Sequence, residues 1–305
     1  MKHRIVVTSN QDMSPEQKTR LESLGDVTWY DSFPQSDSEY LERVKGADII
    51  CSGHAGLKDA YAQLHNVYVT VGFVSTAFVD SELMRKNGVQ LSNSPGINRQ
   101  AVSEWIIAMM LLISRGLPAA INREETYRKD GGLPPLTQGL AGRNLTVLGK
   151  GNVGQHVGKI AESFDMNVQY FTRGDDLHGC VKDADIVVDA LSENISTKNI
   201  LDDTFFASMK RGGVFITVSR SAIVDESALM KYLDSGHLAG AATDCSGILV
   251  GDTDDKLYKK MLAHPKIIAT PHIAYSTTMS MKLGNDVMID NVEAFINGTP
   301  QNLVN

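Results

Sequence analysis

The sequence predicts an α/β protein built from two doubly wound parallel-sheet domains. Three observations carry this reading. Short runs rich in Val, Ile and Leu alternate with helical patterns; one such run leads directly into the glycine-spaced segment GKGNVG; and a last helical pattern follows the final strand with no domain of its own. Parallel strands read as near-continuous apolar runs because helices cover both faces of their sheet. With 305 residues, 42% of them hydrophobic, the chain is long enough to bury two such cores.

HRIVVTS reads as the first buried strand, residues 14–24 as an amphipathic helix opened by Ser14 and Pro15, and GADIICSG as a second strand. VYVTVG, a helix over residues 80–87 and VQLSNSPG repeat the pattern and complete a first α/β domain. Residues 97–117 carry a long apolar helical pattern, with Val102, Trp105, Ile106, Met109, Met110, Leu112 and Ile113 at mixed three and four spacing, that leads into the second domain. The Gly/Pro-rich RKDGGLPPLTQGLAGRN after it reads as a surface connection or as a subunit-contact arm.

LTVLGKGNVGQHVG comes next, an apolar strand followed by Gly149, Gly151 and Gly154. Glycines so spaced permit a tight turn, close approach of the backbone to a pyrophosphate, and close packing of the next helix on the sheet. That helix is expected to begin near Val153, so its unpaired N–H groups and positive dipole end would face phosphates, with Lys150 and Asn152 in the same loop. Lys150 either adds positive charge there or faces water.

MNVQYFT reads as the next strand, and its end should reach an adenosine ribose. It closes on Thr172 and Arg173, with no carboxylate until Asp175 and Asp176. A carboxylate at this point suits the ribose hydroxyl of NAD, whereas a guanidinium suits the 2′-phosphate of NADP, so NADP(H) is expected over NAD(H). The alternative is a solvated Arg173 with Asp175 or Asp176 bending back to the ribose. ADIVVDALS, GVFITVS, LAGAATD and KIIATPH supply further strands, separated by helices over residues 202–209 and 226–233, the latter N-capped by Asp225. These six runs match a Rossmann dinucleotide-binding domain over residues 98–275. The closing helical pattern MSMKLGNDVMIDNVEAFING should pack back on the first domain, making residues 1–97 and 276–305 a discontinuous flavodoxin-like substrate-binding domain joined to the second by two crossings, with a cleft between them.

Charge and cysteine usage bound the function. A formal net charge of -7 gives no long-range attraction to nucleic acid or anionic membrane. No run is long and apolar enough for a signal-peptide core or a membrane span, and Cys51, Cys180 and Cys245 form neither a C-x-x-C nor a disulfide framework, so no metal is expected and a reducing cytoplasm fits.

NRQAVSEWIIAMMLLISR, LAGRNLTVLGKGNVGQHVGKIAESFDMNV, FFASMKRGGVFITVSRSAIVDESALMKYLDSGHLAGAATD and IIATPHIAYST together resemble the D-isomer-specific 2-hydroxyacid dehydrogenase family along nearly the whole chain. The resemblance, of the glyoxylate/hydroxypyruvate reductase kind, implies a homodimer that transfers a hydride between a nicotinamide and C2 of a small 2-oxo or 2-hydroxy acid. It places the catalytic arginine on Arg220 and the catalytic histidine on His272. A planar guanidinium can hold the carboxylate of a 2-oxo acid while polarising its ketone, and an imidazole can protonate the alkoxide as hydride arrives. Asp244 matches a position near the nicotinamide carboxamide, and Ser192 and Val218 match positions along the cofactor. Backbone N–H groups at Val74 and Ser75 match a substrate-carboxylate turn, and Ser52, Gly53 and His54, at another strand end, are expected to line the same pocket. Glu104 also matches a family position and reads as structural.

One departure stands out. The family places a glutamate after the strand corresponding to LAGAATD, where it orients the histidine, and this chain has neither Glu nor Gln between Asp244 and His272. Its loss is expected to lower the histidine pKa and loosen the ring. Ser246, Asp252, Asp254 or a carboxylate from elsewhere in the fold are the candidate substitutes. Ser221 stands where a glycine commonly follows the arginine, a change expected to be tolerated. The rivals to an active enzyme are a catalytically weakened sensor or interaction protein of the same fold, or a dehydrogenase of another small anion.

Overall fold

The alternation of strand and helix seen in the sequence builds two parallel sheets in a computed structural model that describes residues 2–53, 58–76, 79–121 and 136–304. Backbone contacts divide the chain into one unit of Met1–Asn98 with Ser276–Asn305 and a second of Arg99–Tyr275. In the first unit the elements are β1 (His3–Val7), α1 (Pro15–Leu24), β2 (Gly25–Trp29), α2 (Asp37–Arg43), β3 (Ile49–Ser52), α3 (Lys58–Tyr61), β4 (Tyr68–Val71), α4 (Ser81–Lys86) and β5 (Gln90–Ser92). The second holds α5 (Arg99–Ser114), α6 (Leu117–Ile121), β6 (Asn144–Leu148), α7 (Asn152–Glu162), β7 (Asn167–Phe171), α8 (Leu177–Val181), β8 (Ile186–Asp189), α9 (Asp203–Ser208), β9 (Gly213–Thr217), α10 (Glu226–Asp234), β10 (Leu238–Thr243), α11 (Lys256–Leu262) and β11 (Ile267–Ala269). The chain then returns to the first unit as α12 (Thr278–Ile296).

The first sheet has the order β2-β1-β3-β4-β5 and is parallel throughout, the flavodoxin-like order. Its strands alternate between two cores. Val6, Ile50, Val69 and Leu91 face the side of α2, α3 and α4, whereas Ile5, Val7, Ile49 and Tyr68 meet Leu21 of α1 and Met288, Ile289 and Val292 of α12. Helix α12 belongs here because Gln17 donates to Asp286, Arg20 pairs with Asp290 and Glu293, and Gly284 leaves no room for a Cβ, which would stand 2.3 Å from the Gly72 carbonyl oxygen.

Helix starts follow the sequence closely. Ser14 accepts from the Gln17 N–H while the Gln17 side chain accepts from the Ser14 N–H, and Asp80, Asp202 and Asp225 cap α4, α9 and α10. Two features differ from expectation. The run over residues 97–117 is not one helix, because Gly116 adopts a left-handed φ of 57° and separates α5 from α6. Strand β2 was hidden because GDVTW is an edge strand with only alternate residues turned inward. Of the connection expected over residues 128–144, residues 128–135 lie outside the described residues.

The second sheet runs β11-β10-β9-β8-β6-β7, again all parallel. All six expected strands are present, with a single strand, β7, beyond β6. Leu148, Val187, Phe215, Ala241 and Ala269 face a core closed by α8 to α11; Val147, Val188, Ile216 and Ala242 face α5 and α7. No helix of the described residues is long and apolar enough to cross a membrane. Phe205, Phe206 and Phe215 are fully buried and meet edge to face. Phe206→Ala is expected to cost about 3–5 kcal/mol, seen as a lower denaturant midpoint with an unchanged slope.

Candidate active site

In a parallel sheet the strands end at a common edge, and each strand of the second unit ends on, or beside, a residue that the sequence pattern points to. Gly149 follows β6, Thr172 follows β7, Ser192 lies just past β8, Val218 to Arg220 follow β9, Asp244 follows β10 and His272 follows β11. Strand β6 has β7 on one side and β8 on the other, so the glycine loop leaves the sheet where strand order reverses.

The three glycines have distinct reasons. Gly149 has a φ of +97°, and a Cβ on it would stand 2.9 Å from the Ala190 carbonyl oxygen. A Cβ at Gly154 would stand 2.0 Å from the Gly149 carbonyl oxygen, so only glycine lets α7 pack this closely on β6. Gly151, the N-cap of α7, makes no side-chain cap, and a Cβ on it would meet nothing within 4 Å. The first-turn N–H groups of Asn152, Val153 and Gly154 thus begin an 11-residue helix without a side-chain acceptor. That arrangement fits a pyrophosphate, which the helix dipole also favours. Lys150 is exposed, with its ammonium 4.9 Å from the Tyr170 ring centroid.

At the end of β7 the Asp175 carboxylate accepts from both the N–H and the hydroxyl of Thr172, at 2.7 and 2.8 Å, which hold its pKa below the usual carboxylate range. Arg173 is exposed beside it. The strand end therefore presents a guanidinium and a carboxylate already bonded to its own loop.

Beyond β8 and β9 the sequence reading missed two residues. Asp189 is completely buried; its carboxylate accepts from the Leu191 N–H at 3.1 Å and the Thr217 hydroxyl at 2.8 Å. Burial pushes its pKa up to about 6 against the lowering by Leu191, Thr217 and Ser219. Glu193 lies with one carboxylate oxygen 3.7 Å from Nε of Arg220, both side chains being about half-exposed. Ser192 is exposed, and its carbonyl accepts from Asn194 and Thr197 within its own loop. Val218 is half-buried and donates its N–H to the Asp189 carbonyl.

His272 sits in the left-handed region, φ 56°, an uncommon conformation for a side-chain-bearing residue, and Asp244 accounts for it. The Asp244 carbonyl accepts the His272 N–H at 2.7 Å, while its carboxylate accepts from the Thr270 hydroxyl, the Ile273 N–H and the Ala274 N–H. Burial raises the Asp244 pKa, opposed by the bonds from Thr270, Ala274 and Ile273 and by the charge of His272. Asp244 thus has a second task besides the cofactor contact expected of it, as the clamp of the histidine turn.

The expectation that the ring is loosened is corrected. His272 Nδ1 lies 3.0 Å from the Ile248 carbonyl oxygen. A carbonyl only accepts, so Nδ1 carries the proton and Nε2 is left for chemistry. The proposed substitutes are bonded elsewhere: Ser246 donates to the Ser219 carbonyl, Asp252 caps Asp254 and Asp255, and Asp254 pairs with Lys259. The turn carrying Ile248 also abuts the arginine loop, since a Cβ on Gly247 would stand 2.4 Å from the Ser221 hydroxyl. Ser221 is accommodated because residue 247 is glycine.

In the first unit, Ser52 does not present its hydroxyl to a pocket. It is fully buried, receives the Tyr61 hydroxyl at 2.6 Å and lies within bonding distance of Tyr40 and Thr8, because β3 ends beneath α2 and α3. Gly53 packs on the Gln11 side chain, and His54 lies outside the described residues. Val74 and Ser75 are half-exposed, with the Val74 carbonyl bonded by Asn93. Glu104 is exposed and bonded by Gln100, a helix-surface contact. Among the described residues no cluster of His, Cys, Asp and Glu could hold a metal.

Asp189 gives this edge a pH signature. Its folded pKa of about 6 lies above the ordinary 3.8, so its stabilising contribution is full below about pH 4 and is lost as pH rises through 6. Asp189→Asn removes that loss, so in urea unfolding the variant is expected to gain on the wild type as pH rises from about 5 to 8, by about 1.4 kcal/mol.

Residues 107–274 match the family described as D-isomer specific 2-hydroxyacid dehydrogenase, NAD binding domain. Glycerate dehydrogenase of Methylorubrum extorquens is 27% identical over 286 residues, covering 87% of this chain and 88% of the relative. Hydroxypyruvate reductase of Blautia hydrogenotrophica is 26% identical, covering 93% and 94%. An acyclic imino acid reductase solved in complex with NADPH and D-Arg superposes with a TM-score of 0.84 at 22% identity, covering 99% of this chain and 100% of its own. With the strand-end glycine loop, the arginine loop and the clamped histidine all in the matched segment, the chain belongs to the D-isomer-specific 2-hydroxyacid dehydrogenase family of oxidoreductases.

Proposed function

We propose that this protein is an NADPH-preferring reductase of small 2-oxo acids that forms the D-2-hydroxy acid, with Arg220 binding and polarising the substrate and His272 as acid and base. The observation that carries this reading is the hold on His272. Nδ1–H is bonded to the Ile248 carbonyl and the backbone is clamped by Asp244, so the imidazole presents Nε2 in one orientation. Held at the glycine loop of Gly149, Gly151 and Gly154, NADPH would supply the hydride. As the imidazolium, with Nδ1–H still bonded to Ile248, His272 gives the Nε2 proton to the ketone oxygen as that oxygen gains charge; the neutral ring takes it back on Nε2 in the oxidative direction.

Arg220 holds the carboxylate of the acid and draws electron density from the adjacent ketone. Its neighbour Glu193 neutralises part of that charge when no acid is bound. The Ser52 hydroxyl, enclosed by Tyr40 and Tyr61, is not an anion donor. The preference for NADPH is supported by the exposed guanidinium of Arg173 beside an Asp175 carboxylate that already accepts two bonds from Thr172. Glyoxylate and hydroxypyruvate are the substrates of choice, in keeping with the glycerate and hydroxypyruvate activities named for the relatives.

Purified protein is expected to oxidise NADPH with glyoxylate or hydroxypyruvate. His272→Ala should lower kcat/KM by about 10²–10⁴ with NADPH binding retained. Tight NADPH binding with no turnover on any small 2-oxo acid sinks the reading. Arg173→Ala should erode the NADPH to NADH preference by about tenfold, as expected for loss of a charge-assisted phosphate contact of roughly 1.4 kcal/mol; an unchanged preference assigns the cofactor choice elsewhere.

A further inference from the structure

Asp189 is fully buried at the carboxyl edge of the second sheet and takes no part in the chemistry just described. What it does instead is close a ring of bonds between two loops. Its carboxylate accepts from the Leu191 N–H and from the Thr217 hydroxyl; the Thr217 hydroxyl oxygen accepts from the Ser219 N–H at 3.2 Å; and the Ser219 hydroxyl donates to the Leu191 carbonyl at 3.0 Å. The Asp189 carbonyl adds a bond from the Val218 N–H at 3.2 Å.

Each loop in this ring carries part of the anion-binding pair. Two residues beyond Leu191 stands Glu193, and one residue beyond Ser219 stands Arg220, and these two side chains meet at 3.7 Å. The Ser219 carbonyl also accepts the Ser246 hydroxyl at 2.6 Å, which ties in the turn whose Ile248 carbonyl orients His272.

We propose that Asp189 is a positioning residue that clasps the ends of β8 and β9 and thereby fixes where Arg220 meets the substrate carboxylate. This inference rests on the reductase reading above. The clasp depends on an ionised carboxyl group. Each carboxylate oxygen receives a donor, the Leu191 N–H on one and the Thr217 hydroxyl on the other. A proton on the carboxyl turns one acceptor into a donor, so one of these bonds must be given up and the ring opens.

The charged groups on the surrounding elements are engaged elsewhere or lie on the rim. Lys150 of the glycine loop sits over Tyr170, Glu193 and Arg220 face each other, Asp244 holds residues 270–274, and Glu226 lies at the start of α10. Burial is therefore the leading influence on the state of Asp189, and protonation falls near pH 6. The expected effect has a distinct sign. Protonating Asp189 releases Arg220 and weakens anion binding.

The test is steady-state kinetics of the full chain with saturating NADPH and varied glyoxylate, from about pH 5 to 8, for the wild type, Asp189→Asn and Asp189→Leu, with NADPH affinity measured separately by fluorescence titration. For the wild type, KM for glyoxylate should rise about threefold or more as pH falls from about 7 to 5, while kcat is affected less. Asp189→Asn keeps an acceptor for Leu191 but, like the protonated acid, puts a donor in place of the other oxygen and cannot titrate, so its KM should stand near the wild type's low-pH value at every pH, with kcat within about twofold. Asp189→Leu, lacking every acceptor, should raise KM about tenfold at neutral pH with NADPH affinity within about threefold of the wild type.

A wild-type KM that is flat with pH, a rise that persists in the Asn variant, or an equal loss of glyoxylate and NADPH affinity in the Leu variant overturns the proposal. If the wild type turns over no 2-oxo acid, the reductase reading fails by itself, and the clasp is read by amide exchange instead. Corrected for intrinsic rates, exchange across residues 217–221 should then speed up between about pH 7 and 5 in the wild type and not in Asp189→Asn; identical exchange in the two proteins overturns it.

Discussion

The parallel hydrogen-bond ladder of the second sheet is the constraint on which the site depends. Leu148 is paired with Phe171 on one side and Asp189 on the other, Asp189 with Thr217, Thr217 with Thr243, and Thr243 with Ala269. That register brings six strand ends to one level, so the glycine turn, the basic strand end, the arginine loop and the histidine turn that extend from them share one edge. A one-residue slip in any pair would turn a strand's side chains to the opposite core and move its loop out of place. The two apolar cores flanking the sheet hold the register, since Val187 and Phe215 cannot exchange faces with Val188 and Ile216 without burying the wrong shapes.

On this edge the polar groups form a supporting layer beneath the reactive ones. Asp244 spends both carboxylate oxygens on residues 270–274 and holds His272 in a backbone conformation that it would otherwise visit rarely. Asp189 does the corresponding service for residues 217–219. The histidine is oriented by a neutral backbone carbonyl in the position where the family resemblance led us to expect a carboxylate. A carbonyl fixes the tautomer and direction of the ring without adding a charge, so orientation and charge, combined in one side chain elsewhere, are separated in this protein.

Much of this was legible in the sequence because it rests on local patterns. Apolar runs such as LTVL and GVFIT read as buried strands, Ser14 as a helix opener and Asp225 as a cap. Strand β2 was not, because an edge strand needs only alternate inward residues and GDVTW has too few to stand out. Ser52 was placed in a pocket because it ends a strand, and only the packing of Tyr40 and Tyr61 over it shows that its hydroxyl faces inward. A signal for Asp189 was present, a lone carboxylate inside the apolar run IVVDAL, but nothing near it in the chain names its partners.

By itself the sequence determined the two-sheet architecture and the glycine loop, and through the family resemblance it pointed to Arg220 and His272. These rest on periodicity, on the steric uniqueness of glycine, and on motifs within a few residues. Tertiary structure alone decided what holds the pair in place: Ile248 bonds a histidine 24 residues away, and Asp189 bonds a threonine 28 residues away. Such partners meet only once the strands are in register, and a hydrogen bond requires a donor and acceptor to converge within about 3 Å in a given direction. Sequence spacing carries no information about that direction.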